Sequence, residues 1–235
     1  MVFSKHRLTR FAVLISLSKN FLFVHIPKTA GSSVRTPLLP YACERNRTLM
    51  RRALSLLPVR ENPEKAYFRG HSTSEVIRRK LNPLLFEKLH KFSVVRNPYD
   101  HFVSSYFFEK NNVNGKRQKQ ARDWSLEDFL NYQIRKNKVM PRYQSAWLED
   151  RAGNIQVDRI LFVETLNQDY EALCEFLKLP QVKSVPKINV GKRADYRKYF
   201  DSTMKGKVER LYEPDFDNFG YSFETGQPTR NPLLK

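Results

Sequence analysis

The feature that most constrains this chain is an apolar run that stops abruptly at Pro27. The apolar residues Phe21, Leu22, Phe23, Val24 and Ile26 predict a strand that is buried on both faces. Small, polar and cationic residues follow the proline, and a second apolar pattern begins at Val34. The sequence therefore predicts a strand, a tight turn and the start of a helix.

This turn carries the groups that bind anions. The first N–H groups of a helix have no intrahelical partner, and the helix dipole adds partial positive charge there. Lys28 adds a full charge, and Gly31 lets the backbone approach a ligand closely. An ordinary turn capped by Ser32 or Ser33 explains the local pattern equally well. The Walker A pattern is absent because Lys28 precedes the glycine, which disfavours a nucleotide kinase.

The composition limits the classes of partner. With 235 residues, the chain is long enough to bury a substantial core as one α/β domain. The net charge of +18 indicates an anionic partner, such as nucleic acid, an acidic polysaccharide, a phosphorylated cofactor or a membrane surface. The basic residues are scattered, and the sequence has no recognised motif for reading nucleic acid. We therefore expect no nucleic-acid partner.

Cysteine usage and hydropathy bear on the compartment. Cys43 and Cys174 give neither a disulfide framework nor a metal-ligand spacing, and this usage favours a reducing compartment. We expect the cytoplasm rather than the Golgi lumen. The apolar segment from Phe11 to Leu17 is too short to span a bilayer. We interpret it as a strand or helix of the domain, since the turn at Pro27 follows almost at once. The sequence leaves the oligomeric state open.

A histidine follows the second predicted strand. This strand covers 66–68 and leads to Gly70 and His71, and a helix through 76–80 comes next. His71 would then lie just past the carboxyl end of a strand, where open α/β sheets bind their ligands. A lone histidine is more often structural, so position alone favours the structural interpretation.

An arginine follows the third predicted strand. This strand covers 92–95, and a helix over 99–109 comes after Arg96. A guanidinium matches a phosphate bidentately, and Ser104 would add a hydroxyl donor from the helix. In the structural alternative, Arg96 pairs with Asp100 within the turn and Ser104 faces neighbouring helices.

The remaining pattern alternates strands and helices. A fourth strand is predicted at 155–163, with its centre at 159–163. Ser125 and Asp128 resemble a helix cap with an acidic first turn. The other predicted helices cover 33–39, 47–57, 83–89, 124–136, 141–149 and 168–179.

Three of these segments together resemble a known family. The motif HIPKTAGSS, at 25–33, is similar to the 5′-phosphosulfate loop of sulfotransferases that use 3′-phosphoadenosine 5′-phosphosulfate (PAPS). The segment VVRNPYDHFVSSYF, at 94–107, resembles their 3′-phosphate motif, and Gly70–His71 resembles a Gly-His pair of the heparan 2-O type. The resemblance is to the carbohydrate-type and bacterial members of sulfotransferase family 2. It implies an α/β fold with a central parallel sheet flanked by helices, the P-loop nucleotide-kinase-like sulfotransferase fold. It also implies a closing helix and a Phe-Gly-Tyr turn at 208–221. The sulfotransferase domain would cover 1–225, followed by a loose tail at 226–235.

The same resemblance implies an activity and its residues. The activity is transfer of a sulfuryl group from PAPS to an acceptor hydroxyl, with a carbohydrate, including an acidic one, as the acceptor and without a metal. Lys28 is implied to stabilise the sulfuryl and leaving oxygens, and His71 to deprotonate the acceptor. Arg96 and Ser104 are implied to hold the 3′-phosphate. The remaining implied donor-binding residues are Thr29, Ala30, Gly31, Ser32 and Ser33 in the loop, and Lys192, Arg193 and Tyr196 in a late basic segment.

A different class of function stays open at this point. A non-catalytic protein that binds polyanions or nucleic acid could also use a nucleotide-binding fold and carry a charge of +18. Its binding would be sensitive to salt and independent of PAPS.

Overall fold

The structure is a computed structural model, and its described residues fall into two compact units. Residues up to 95 together with 147–186 form one unit, called here the sheet unit, and residues 96–146 with 193–233 form the other, the helical unit. The described residues are 13–43, 48–54, 56–57, 59–60, 62–64, 68, 71–111, 121–135, 141–180, 185–186, 193–231 and 233.

A four-stranded sheet forms the centre of the sheet unit. In sheet order the strands are β1 (Leu14–Ser16), β2 (Phe21–Val24), β3 (His90–Val95) and β4 (Arg159–Phe162). Strand β3 pairs parallel with both β2 and β4, whereas β1 pairs antiparallel with β2 at the edge. The prediction of an α/β fold with a central parallel sheet flanked by helices is confirmed, and the antiparallel edge strand β1 is the one departure among the described strands. The segment left open as strand or helix contains the edge strand β1.

The helices begin where local capping favours them. Thr73 caps α3 by accepting a hydrogen bond from the N–H of Val76, at 3.3 Å. Ser125 and Asp128 form the expected reciprocal cap at the start of α6. The helices are α1 (Gly31–Leu38), α2 (Leu49–Leu54), α3 (Ser74–Lys80), α4 (Pro83–Lys88), α5 (Pro98–Asn111), α6 (Leu126–Arg135), α7 (Leu166–Phe176), α8 (Ser202–Leu211) and α9 (Glu213–Phe219).

Each unit has its own apolar core. In the sheet unit, Phe23 of β2 stacks on Phe92 of β3 with ring centroids 5.2 Å apart, and Cys174 of α7 joins this core. In the helical unit, Phe102 packs on Phe129 at 5.1 Å. These buried aromatic contacts fix the strands and helices whose ends carry the polar residues discussed below.

Two predicted helices differ from the structure. The helix predicted at 141–149 is wrong, since this segment contains only a 3-10 turn, Ser145–Trp147. Its backbone N–H groups at Gln144 and Ser145 donate to the carboxylate of Asp215 instead of to helical carbonyls. The predicted closing helix at 208–221 is two helices, α8 and α9. Pro214 lies in the first turn of α9, where its missing N–H is tolerated.

Two further expectations need qualification. Residues 66 and 67 of the predicted second strand lie outside the described residues, and Phe68 is buried but is not part of a strand. The tail predicted to be loose is ordered at its start. The N–H groups of Thr229 and Arg230 donate to the carbonyl of Phe219, and the carbonyl of Gly226 accepts from Asn97. This part of the tail therefore belongs to the helical unit.

Candidate active site

The turn after β2 has a strained backbone. Lys28 and Ala30 adopt positive φ angles of 68° and 55°, a region that side chains with a Cβ rarely occupy. Such strain concentrates at functional sites. Ala30 is the N-cap of α1 and offers no side-chain acceptor to the first N–H groups. Ser32 and Ser33 lie inside the first turn, so the alternative in which one of them caps this helix is wrong. The start of α1 is therefore suited to an external anion.

The side chains of this turn divide into two groups. Thr29 is fully buried, and its hydroxyl donates to the carbonyl of Ile26 at 3.0 Å. Ser33 is also buried. Lys28 and Ser32 are half-buried, so they reach the surface of the turn. Thr29 thus holds the turn in shape through its hydroxyl.

Gly31 is needed for a reason that the sequence did not reveal. A Cβ added at Gly31 would lie 2.0 Å from Cδ2 of the His25 imidazole, far inside van der Waals contact. The His25 ring therefore occupies the space above this glycine. His25 was not among the predicted site residues, although it begins the HIPKTAGSS motif. Only the fold shows that its ring folds back onto the turn.

The imidazole of His71 lies beside that of His25. The two ring centroids are 5.0 Å apart. The indole of Trp147 also packs edge-on against the His71 ring, with centroids 6.1 Å apart. Nδ1 of His71 is 3.4 Å from the backbone carbonyl oxygen of His25. Because a carbonyl can only accept, Nδ1 carries the proton in this contact, and Nε2 keeps its lone pair. His71 also has a positive φ of 63°. The structure thus brings His71 to the turn after β2.

Both imidazoles are neutral at physiological pH. Burial lowers the pKa of His71 below its usual value. Burial, aided by the positive charge of Arg35 and by His71, lowers the pKa of His25 to about 3. Nδ1 of His25 is buried and has no hydrogen-bond partner among the described residues. A neutral His71 with a lone pair on Nε2 has the protonation state that a general base needs.

In the helical unit, Arg96 meets a carboxylate. Asp100 accepts from Nε of Arg96 at 2.6 Å and pairs with Arg193 at 2.5 Å. The pairing of Arg96 with Asp100 that was considered from the sequence is therefore present. All three side chains are about one-fifth exposed or less, and two cations share one anion, so the cluster keeps a net positive charge. Ser104 is half-buried one helical turn beyond Asp100, on the same face of α5.

The three predicted donor-binding residues of the late basic segment differ in their surroundings. Arg193 joins the cluster on Asp100, as described. Tyr196 is buried, stacks on Tyr99 with parallel rings 5.9 Å apart, and donates its hydroxyl to the carbonyl of Phe223. These contacts give Tyr196 a structural role, and its contact with the donor stays a prediction. Lys192 lies outside the described residues.

The backbone of Arg96 is held by residues that the sequence analysis missed. Oε1 of Gln144 accepts from the Arg96 N–H, and Nε2 of Gln144 donates to the Arg96 carbonyl, both at 2.8 Å. Asp215 accepts from the backbone N–H groups of Gln144 and Ser145 and from Nε2 of Gln144, at 2.8, 2.7 and 3.2 Å. Burial raises the pKa of Asp215 to about 6, although these donors act in the opposite direction.

Comparisons with known proteins decide the family. A sequence model of a family described as "Sulfotransferase family" matches residues 12–222. The chain is a member of sulfotransferase family 2. No curated protein matches its sequence significantly. Among solved structures, this sulfotransferase is similar to one described as a sulfotransferase from Alicyclobacillus acidocaldarius. The identity is 14%, the TM-score is 0.42, and the match covers 83% of this chain and 95% of that one.

Family membership confirms the resemblance seen in the motifs and establishes a transferase that moves sulfuryl groups. Within the described ranges, no group of three or more His, Cys, Asp or Glu side chains has an arrangement that could hold a metal ion. No helix in the described part of this sulfotransferase is long and apolar enough to cross a bilayer.

Proposed function

We propose that this sulfotransferase transfers the sulfuryl group of PAPS to a hydroxyl group of a carbohydrate. The observation that carries the proposal is the neutral His71 beside an anion-suited turn. Its Nδ1 contacts the carbonyl of His25, and its Nε2 keeps a lone pair. A base next to a phosphate-binding helix start is what sulfuryl transfer to a hydroxyl requires.

Each unit has its own proposed donor contacts. In the sheet unit, Lys28, Thr29, Ala30, Gly31, Ser32 and Ser33 bind the 5′-phosphosulfate. In the helical unit, Arg96 and Ser104 hold the 3′-phosphate, one by a guanidinium and the other by a hydroxyl. Arg193 adds a second cation to the helical-unit cluster, and Lys192 and Tyr196 complete the proposed donor contacts.

The chemistry follows from these roles. PAPS, when bound, supplies an activated sulfur joined to a good leaving group. Nε2 of His71 takes the proton from the acceptor hydroxyl as its oxygen bonds to sulfur, while the bond from sulfur to the 5′-phosphate oxygen breaks. The Lys28 ammonium stabilises the negative charge that develops on the oxygens of the sulfuryl and leaving groups. The help of a general base is typically worth about 100- to 10,000-fold in rate.

The acceptor class follows from charge. A net charge of +18 favours an acidic or already sulfated saccharide over a neutral one, because electrostatic attraction raises the association rate and the affinity.

Both cysteines are free, and we place the enzyme in the reducing cytoplasm.

The decisive experiment incubates the enzyme with isotopically labelled PAPS and a panel of saccharides, lipids and small alcohols. Mass spectrometry then looks for a product that carries the labelled sulfate. We expect a sulfated saccharide with the wild type and almost none with His71→Ala. Salt-sensitive binding of polyanions that does not depend on PAPS, with no sulfated product from any acceptor, would favour the non-catalytic alternative instead.

A further inference from the structure

The backbone of Arg96 is clamped by a side-chain amide. Gln144 binds both the N–H and the carbonyl of Arg96, each at 2.8 Å, in the way that a neighbouring strand would bind a residue. Two hydrogen bonds to one residue fix the direction of its peptide groups. They therefore fix the direction in which its side chain leaves the backbone. Arg96 is the residue that follows the last residue of β3, where the regular pairing of the sheet ends.

The amide itself is held by a buried carboxylate. Gln144 and Asp215 are both fully buried. Asp215 receives three hydrogen bonds from Gln144 and Ser145, and one of them comes from the same Nε2 that donates to Arg96. A buried carboxylate is unfavourable unless donors satisfy it, so this set of bonds is strongly specified. It also decides which end of the Gln144 amide is the donor, since Asp215 can accept from Nε2 but not from Oε1.

The side chain of Arg96 is held independently. Asp100, one helical turn further along the chain, accepts from Nε of Arg96. The network on the backbone and the ion pair on the side chain thus act on the same residue from two directions. An arginine held in this way loses less conformational entropy when it binds a phosphate than a mobile one would.

We propose that Gln144 and Asp215 are positioning residues for Arg96, and that they set the affinity for the 3′-phosphate of the donor. This inference rests on the proposed function, in which Arg96 binds that phosphate. Neither residue touches the ligand. Asp215 orients the Gln144 amide, the amide orients the Arg96 peptide groups, and Arg96 meets the ligand.

The test measures the affinity of adenosine 3′,5′-bisphosphate by calorimetry. Gln144→Met keeps the length of the side chain and removes the hydrogen bonds that the Gln144 amide makes to Arg96 and Asp215, while the bond from the Gln144 backbone N–H to Asp215 remains. We expect its Kd to rise about tenfold, the size of one lost hydrogen bond to a charged group. Gln133→Met is the matched control, because Gln133 is a buried glutamine of the same unit that lies on α6. Its Kd should stay within twofold of the wild type.

A double-mutant cycle separates positioning from general destabilisation. A merely structural loss lowers the melting temperature and the fraction of binding-competent protein, but it leaves the Kd of the folded fraction unchanged. Positioning through Arg96 predicts that Gln144→Met adds less than about twofold to the Kd in an Arg96→Ala background. If Gln144→Met does not fold, Asp215→Asn takes its place with the same expectations, since it keeps the size of the side chain and one acceptor oxygen.

The outcomes distinguish this inference from the function beneath it. An unchanged Kd in Gln144→Met, or an equal rise with and without Arg96, overturns the positioning role alone. An unchanged Kd in Arg96→Ala overturns the 3′-phosphate role of Arg96 and the inference together. A tenfold rise that disappears in the Arg96→Ala background supports both.

Discussion

The two units present groups suited to an anion in different ways. In the sheet unit, the turn after β2 relies on its backbone: Lys28 and Ala30 have left-handed φ angles, and the N-cap Ala30 offers no side-chain acceptor. In the helical unit, Arg96 is bound at its backbone by Gln144 and at its side chain by Asp100. The first region leaves donors at a helix start, and the second commits a cation to a fixed position before any ligand arrives.

This difference has a physical basis. Backbone N–H groups at a helix start have directions fixed by the helix, so they need no side chain to orient them. An arginine side chain has several rotatable bonds, so its guanidinium has a defined position only when neighbouring groups restrict it. We therefore expect substitutions near β2 to act through backbone shape, and those near Arg96 to act through hydrogen bonds.

The largest expected effect is on the base. His71→Ala should lower kcat by about 100- to 10,000-fold, because it removes the proposed general base. The Kd for adenosine bisphosphate should change less than twofold. Steady-state kinetics and calorimetry check the two parts. His90→Ala, which removes a half-buried histidine of the same unit that packs on Phe176, is the control. Full activity in His71→Ala would remove His71 from the mechanism.

The pH profile provides a second check on His71. Since burial lowers the pKa of this group, the base stays deprotonated and active down to a pH below its usual 6.5. The value of kcat/KM should therefore be constant above pH 6.5. It should fall only on acidification through the lowered pKa of His71. A profile that first declines above pH 7 would contradict the buried, neutral imidazole.

The next effect concerns the cation of the helical unit. Arg96→Ala should weaken adenosine bisphosphate binding about 10- to 100-fold, the range for losing charge-assisted hydrogen bonds. Lys110→Ala removes a positive charge from the other end of α5 and should change the Kd less than twofold. Equal losses in the two variants would mean that the effect is one of net charge, which would contradict a specific site at Arg96.

A smaller effect is expected from filling the space above Gly31. Gly31→Ala places a methyl group 2.0 Å from the His25 ring and should reduce stability by about 1 to 3 kcal/mol, with a loss of kcat as His71 shifts. Gly206→Ala, in α8, meets open space and should stabilise the protein by about 0.5 to 1 kcal/mol. Denaturant unfolding of both variants measures the contrast. Similar stability changes would contradict the packing of His25 on Gly31.

The smallest expected effect is the acid sensitivity that His25 confers. Its pKa is lowered to about 3 in the folded protein, so the unfolded chain takes up the proton first as the pH falls below 6.5. Stability is therefore lost on acidification, by about 1.4 kcal/mol per pH unit from this group. Urea unfolding at pH 7 and pH 5.5 should show a smaller difference in His25→Phe than in the wild type. An unchanged difference would contradict a buried, neutral His25.

The parts of the fold that follow from local sequence were predictable. The apolar run at β2 and the reciprocal cap of Ser125 and Asp128 each involve residues a few positions apart, and each appears in the structure. The turn after β2 was expected from the local pattern. His71 was expected just past a strand at 66–68, but Phe68 is not part of a strand, and only the fold shows that the His71 ring lies beside His25.

What could not be predicted depends on distant residues. Gln144 and Asp215 lie 71 positions apart, and their hydrogen bond replaces the helix that the local pattern favoured. Likewise, no short-range pattern shows that the His25 ring lies over Gly31. In both places a polar or aromatic side chain satisfies a need created elsewhere in the fold, and this overrides the local propensity.

The ordered start of the tail affects how the protein can be shortened. Asn97 lies directly before α5, its Oδ1 accepts from the N–H of Tyr99, and its Nδ2 donates to Gly226. Cutting the chain before Gly226 would remove the carbonyl that accepts from Nδ2 of Asn97, and Asn97 is the residue that follows Arg96. Engineers who trim the carboxyl terminus or attach a fusion partner there should therefore keep everything through Arg230.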